Sequence, residues 1–436
     1  MSSAISSRLE RLRRPLRDPV PIYLLIEGGQ SLLFALTFTI NMIYQVKVAG
    51  LSPLEMVLVG TILEATCFLF EVPTGIVADL YSRRRSILIG IAIIGVGFVV
   101  EGAIPAFIAI AAAQVIWGIG YTFTSGATEA WITDEIGEDR VGPVFLRGSQ
   151  VSLIGGIAGT VLGTGLGLIA LQLPIVLGGV GMVALAAALF VVMPERHMQV
   201  TPAEDRSTFG HMRHTFVEGL RLARRRPVVR TLNAISLIVG LASEAFDRLN
   251  QVSLLDRFTF PRILGSDDPV MAFGLSSLMG TGLGLLATEL LRRHRPESLG
   301  TGTPARLLAG LASVQVLATI GFVLMGNLWL AFAMLWLRGI AGTLMQPVSA
   351  AWMNRNLDSS LRATVISMEG QANAIGQVAG GPPLGWIGSR VSVSAAIIAS
   401  GLVYAPVVGL YRSLRERWTV EPTTARASAK APDPLA

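Results

Sequence analysis

Twelve stretches of mostly apolar residues, each long enough to cross a bilayer, occupy this chain from Ile22 to about Leu414. About 20 apolar residues in a helix span the hydrocarbon core, where every backbone polar group needs an internal partner. The spans read as residues 22–46, 53–79, 86–104, 106–128, 144–170, 174–193, 229–257, 269–291, 304–325, 328–352, 363–387 and 391–413. Only 15% of the 436 residues are charged, where soluble domains carry about 25%. The 47 glycines fit the same picture, because small residues let membrane helices approach closely. These features exclude most soluble enzymes and nucleic-acid binders. They predict an all-α membrane protein of twelve transmembrane helices.

The net charge of +6 follows topology rather than a polyanionic partner. Arginines cluster in the N-terminal segment (Arg8 to Arg17), after the second span (Arg83, Arg84, Arg85), in the central loop (Arg196 to Arg226) and after the eighth span (Arg292, Arg293, Arg295, Arg306). The alternate loops carry few basic residues, chiefly Lys47, Arg257, Arg262 and Arg390. By the positive-inside rule both termini and the central loop are cytoplasmic, in a multi-pass protein of the plasma (inner) membrane. The expected divisions are a cytoplasmic N-terminal segment (1–21), a six-helix bundle (22–193), a cytoplasmic central loop (194–228) with a surface amphipathic helix over His211–Arg225, a second six-helix bundle (229–413), and a Pro/Ala/Thr-rich disordered tail (414–436). The first apolar run is too long for a signal-peptide core and reads as a retained span. Cys67 is the single cysteine, which excludes an intrachain disulfide. All four histidines lie in loops, which leaves no histidine-based metal site or proton relay in the membrane.

An internal repeat relates the two bundles. Trp131 and Trp352 stand 221 positions apart, and the same shift pairs Gly118 with Gly339, Gln150 with Gln371, Gly155 with Gly376 and Gly159 with Gly380. Matches of Gly between apolar helices are common, but Trp and Gln held in one ungapped register are not. Parallel six-helix repeats are a transporter architecture.

The sharpest motif is GIVADLYSRRR, Gly75 to Arg85, at the end of the second span. It resembles the signature loop of the major facilitator superfamily, G-x-x-x-D-x-x-G-R-R, through Gly75, Asp79, Arg83 and Arg84, with Ser82 in place of the second glycine. A worn copy follows the eighth span as Glu289, Arg292 and Arg293. The resemblance implies two pseudo-symmetric six-helix bundles, with a cytoplasmic gate in which Asp79 faces the start of span 11 near Arg362. It lets Arg83 and Arg84 meet Glu129 or Asp134. The superfamily's usual arginine one turn before the G-x-G of span 4 is Gln114 here, so that arginine does not carry over. The Gly-Pro element that drug–proton antiporters show in span 5 is displaced to span 11, where Pro382-Pro383 is expected to kink or break the helix.

Span 1 carries a polar stripe of Glu27, Gln30, Thr37, Asn41 and Gln45, with Phe34 among them, all within roughly 80° of arc. Span 7 repeats it with Asn233, Glu244 and Asp247. Such a stripe points to a wet cavity or another helix, and the resemblance places spans 1, 4, 7 and 10 around the central cavity. Gln114, Trp117 and Tyr121 on span 4 complete the substrate-cavity candidates. Intramembrane carboxylates mark function by default, because an ionised one costs several kcal/mol unless paired or solvated. Desolvation also moves carboxyl groups in general toward the range a proton-coupling group needs. The proton-coupling candidates are Glu27, Glu64, Glu71 and Glu369, with Arg338 as counter-charge. No Walker loop is present, so ATP does not drive the protein directly. The expected activity is alternating-access transport, most simply proton-coupled export of a small, mostly apolar organic compound. Proton-coupled uptake of a sugar or organic anion and a non-transporting sensor are the alternatives. The proton gradient is the expected energy source, with no cofactor and no metal. The expected partners are a small-molecule substrate and the lipid bilayer, for a non-enzymatic monomer that binds no nucleic acid.

Overall fold

The computed structural model describes residues 18–198, 226–294, 304–356 and 359–418. The arginines from Arg8 to Arg17, the proposed amphipathic helix at His211–Arg225 and most of the tail lie outside the described residues. Among the described residues the structure is helical, apart from an isolated bridge between Ile263 and Ser266.

Fifteen helices are described. They are α1 (Pro19–Phe38), α2 (Asn41–Lys47), α3 (Pro53–Leu80), α4 (Arg83–Ala103), α5 (Phe107–Thr124), α6 (Ala127–Ile136), α7 (Glu138–Gly167) and α8 (Gln172–Val192). There follow α9 (Pro227–Arg257), α10 (Pro269–His294), α11 (Pro304–Leu324), α12 (Leu328–Asn356), α13 (Ser359–Arg390), α14 (Val393–Tyr404) and α15 (Pro406–Trp418). Three spans are split, which turns twelve into fifteen. Span 1 breaks at Thr39–Ile40 between α1 and α2. Span 4 breaks at Gly126, whose φ of +71° ends α5 and starts α6. Span 12 breaks at Ala405, because Pro406 cannot continue the ladder of α14.

Among the described residues, eleven stretches of helix are long and apolar enough to cross a membrane by themselves. The twelfth, α13, is diluted by Glu369, Gln371, Asn373 and Gln377. It runs unbroken from Ser359 through Pro382 and Pro383, so of the kink or break expected there, the break is not found. Outward-facing Ile108, Ile154, Phe190 and Val191 are 66–81% exposed, as a lipid-facing surface requires and a soluble one avoids.

The helices form two compact units. One comprises Met1–Met212 with Thr259–Leu278, the other Arg213–Phe258 with Met279–Ala436. The first turns of α10 therefore belong to the first unit, where Thr164 lies against Gly274. Each unit has its own core, and the repeat tryptophans anchor them: Trp131 is 1% exposed in the first and Trp352 5% in the second. The repeat holds at the level of atoms. Gly155 and Gly159 of α7 receive the backbone carbonyls of Gly28 and Leu32 of α1, while Gly376 and Gly380 of α13 receive those of Leu237 and Leu241 of α9. Each pair is a small-xxx-small crossing.

Candidate functional site

In the first unit the signature loop is a helix junction. Ser82 is the N-cap of α4: its hydroxyl accepts from the Arg85 amide at 2.9 Å and donates to Glu195 at 2.6 Å. This explains the departure from glycine. Ser82 has an extended backbone that any residue adopts, and its oxygen satisfies a helix N-terminus. Arg83 bridges to the carboxylate of Asp134 and donates to the Ala130 carbonyl at 3.0 Å. Arg84 does not join it at Glu129 or Asp134. One residue further round the helix, it donates instead to the Phe190 carbonyl, with its guanidinium 5.5 Å from the centre of that ring.

Glu195, unremarkable in sequence, also accepts from the Arg84 amide at 3.0 Å, a carboxylate where the helix dipole favours one. The Trp131 indole donates to the Pro194 carbonyl at 2.8 Å, and Glu135 accepts from the Arg196 amide at 2.6 Å. The start of the central loop is thus fastened to α6. Asp79 is half-buried, and no ion pair engages it among the described residues; it belongs to the first unit and Arg362 to the second.

The copy in the second unit differs. Glu289 is paired with Arg292 at 2.8 Å and Arg293 at 2.6 Å, both on its own helix and all exposed. Water screens such exposed pairs, so they contribute little to stability. Replacing Asp134 with Asn should loosen the α4–α6 junction. Removing one partner of a half-buried pair typically costs about 1–3 kcal/mol, and the Asp134→Asn protein should unfold several degrees lower in a detergent thermal melt. The Glu289→Gln change should leave the melt where it is.

The span 1 stripe is divided by the break at Thr39–Ile40. Glu27, Gln30 and Phe34 face a groove of about 420 Å³ shared with Ser31, Phe38 and Ser152. Glu27 lies beside Tyr23 and has Glu129 as an electrostatic neighbour. It sits eight residues into α1, which is about 12 Å along the axis. Asn41, by contrast, belongs to α2 and is buried at 3% exposure, away from that groove. Glu64 and Glu71 of α3 gather with Cys67 and Tyr121. Glu71 is exposed, Glu64 half-buried.

Gln114 and Trp117 do not line the groove either; they belong to a buried polar network. Glu101 of α4 is fully buried. Its carboxylate accepts from the Gln45 amide at 2.8 Å and the Gln114 amide at 3.1 Å. Gln114 in turn accepts from the Trp117 indole at 2.9 Å, and the Tyr44 hydroxyl donates to the Glu101 backbone carbonyl at 2.7 Å. Trp117 also packs among Phe34, Phe38 and Phe98. Sequence reasoning passes over Glu101 because it sits near the end of span 3, where a glutamate reads as an interface residue. A buried partner two spans away leaves no local signal.

The second unit contains a cavity of about 390 Å³. Glu369 of α13 and Arg338 of α12 are the charged groups in its wall. Gln315, Gln346 and Ser349 supply polar groups, and Met345, Met353 and Tyr404 apolar surface. Arg338 is engaged: it donates to Asp247 at 3.4 Å and lies 3.9 Å from the centre of the Phe246 ring. No hydrogen bond or ion pair holds Glu369 among the described residues. Asn233, Glu244 and Asp247, expected at the cavity, do not line it. Glu244 is buried and pairs with Arg248 one turn on, at 3.5 Å. Neither amide atom of Asn233 has a partner among the described residues. Arg257, an exception to the charge asymmetry of the loops, donates to the Phe322 and Met325 carbonyls. There it caps the C-terminal end of α11.

The family model of the Major Facilitator Superfamily matches residues 28–380. The chain belongs to that superfamily. This superfamily member is 24% identical over 364 residues to an uncharacterized MFS-type transporter, YxaM of Bacillus subtilis (strain 168), covering 81% of this chain and 86% of the relative. Its fold is similar to that of the nucleoside transporter NupG, with TM-score 0.71, 13% identity and coverage of 95% of this chain and 100% of that one. It is likewise similar to a POT family transporter crystallised with a thioalcohol-conjugated peptide, with TM-score 0.70, 11% identity and coverage of 92% and 96%. At that identity the likeness shows the fold alone. The protein is therefore a multi-pass membrane transporter, and its position 114 holds a glutamine hydrogen-bonded to Glu101 where the superfamily pattern expects an arginine.

Proposed function

We propose that this transporter is proton-coupled, works by alternating access and exports a small organic compound across the plasma membrane, with both termini cytoplasmic and the monomer as the working unit. The observation that carries the reading is a carboxylate in the wall of a cavity in each unit: Glu27 in the first and Glu369 in the second. A carboxylate whose hydration changes as a cavity opens and closes binds its proton differently in the two states, and a proton can then bias which state is occupied. The cavity of the second unit supports an amphiphilic substrate more than a mostly apolar one, since Gln315, Gln346 and Ser349 put polar groups in its wall that a wholly apolar body could not engage. The same polar lining favours, as a second reading, uptake of a polar metabolite.

Proteoliposomes with an imposed pH gradient, screened against labelled compounds, test coupling and direction together. Glu27→Gln should lower gradient-driven flux at least tenfold while counterflow exchange without a gradient persists, and Glu369→Gln should lower gradient-driven flux at least as much. Unchanged gradient-driven flux in both variants would remove the proton role from these residues.

A further inference from the structure

We infer that the cavity of the second unit binds the protonated amine or quaternary ammonium group of an organic cation, with Glu369 as its counter-charge. This rests on the transport reading above and names the substrate class of that cavity. The argument is a balance of charges. Two charged groups face the space, Arg338 and Glu369. Arg338 is already neutralised by Asp247, and its planar face is covered by Phe246. An anion entering the cavity would compete with Asp247 for Arg338. Glu369 has no such partner among the described residues. The cavity therefore presents one unmatched negative charge.

The remaining wall suits a cation. The rings of Tyr404 and Tyr411 border the same space, and aromatic faces attract ammonium groups. The carbonyl oxygens of Gln315 and Gln346 can accept from an N–H donor, and Met345 and Met353 offer adaptable surface for an apolar body. At about 390 Å³ the cavity lies within the size range of small-molecule sites. The titratable groups that face Glu369 across it are Arg338, Tyr404 and Tyr411, and none of these supplies an unengaged positive charge.

Three probes with one body and different charge test this on the full-length protein in detergent: 1-naphthylmethyl-trimethylammonium, 1-naphthylmethanol and 1-naphthoate, measured by equilibrium dialysis. The cation should bind at least tenfold more tightly than the alcohol or the anion. Glu369→Gln, which keeps size and shape, should erase that preference, and Glu369→Asp should keep part of it. Asp247→Asn releases Arg338 and should raise naphthoate affinity. Tighter binding of naphthoate by the unmodified protein would overturn the inference. So would a cation preference that survives Glu369→Gln, or no binding of any probe. Flux under a pH gradient, measured in vesicles with the same cation and with naphthoate, separates the two readings. Binding without gradient-driven flux would leave the cation site and remove proton coupling. Gradient-driven flux of an anion would do the reverse.

Discussion

Replacing Gly159 with valine should abolish a folded, monodisperse protein. Gly159 of α7 lies against the Leu32 carbonyl and the Ala35 side chain of α1, and a Cβ there would overlap backbone rather than a side chain that can swing away. Overpacking a well-packed contact typically costs about 1–3 kcal/mol, and more where backbone must move. Membrane helices have no hydrophobic drive to restore the contact once they separate, because lipid tails are as apolar as leucine. Gly380→Val should do the same to α13 against α9, where the Leu241 carbonyl occupies the equivalent place. Gly165 supplies the control. It is on the same helix as Gly159, yet nothing lies within 4 Å of the position its Cβ would take. Gly165→Val should therefore elute and melt like the unmodified protein. The measurement is fluorescence-detected size exclusion followed by a thermal melt. A sharp peak from Gly159→Val at normal yield would show that α1 and α7 do not cross as closely as described.

A second large effect is expected at Glu101. Alanine there leaves the Gln45 amide donor without an acceptor, and Gln114 with only the Ile110 carbonyl at 3.4 Å, in a fully buried site. Each orphaned donor costs about 1–3 kcal/mol, so Glu101→Ala should unfold far earlier than the unmodified protein. Glutamine is different. The Oε1 atom of Gln45 has no partner among the described residues. A rotated Gln45 amide can therefore accept from the new side-chain amide in Glu101→Gln, while Gln114 keeps its acceptor. Glu101→Gln keeps both links but leaves the rotated Gln45 Nε2 without a partner among the described residues, so it should melt between Glu101→Ala and the unmodified protein. Its transport phenotype separates two roles. If Glu101 only positions Gln114 and Trp117, gradient-driven flux in the folded glutamine variant stays normal. A loss of flux with the fold intact would instead make Glu101 a proton-handling group.

Both effects rest on contacts whose legibility in the chain differs. The glycines of α7 and α13 are visible as a repeat, because identical spacing at a shift of 221 is a one-dimensional signal. The network at Glu101 is not visible, because Gln45, Glu101 and Gln114 come from three spans and no spacing rule joins them. Ser82 reads as a departure from a motif, and only the fold shows its hydroxyl capping α4 and bonding Glu195. The paired arginines Arg83 and Arg84 read as equivalent, yet adjacent helix positions point about 100° apart. One therefore meets α6 and the other the end of α8. Proline acts differently in two places. Pro382-Pro383 suggests a kink or a break, and α13 is not broken there, whereas Pro406 does divide span 12.

Hydropathy and glycine spacing in the sequence determined that this chain is a two-fold repeated bundle of membrane helices, since a bilayer accepts few other ways of satisfying a backbone. The signature loop identified its kin. Which polar groups meet, however, was decided only in three dimensions. A carboxylate's partner is chosen by whichever helix packs against it, so Arg338 is tied to Asp247, Glu101 is held by two glutamines, and Glu369 faces a cavity.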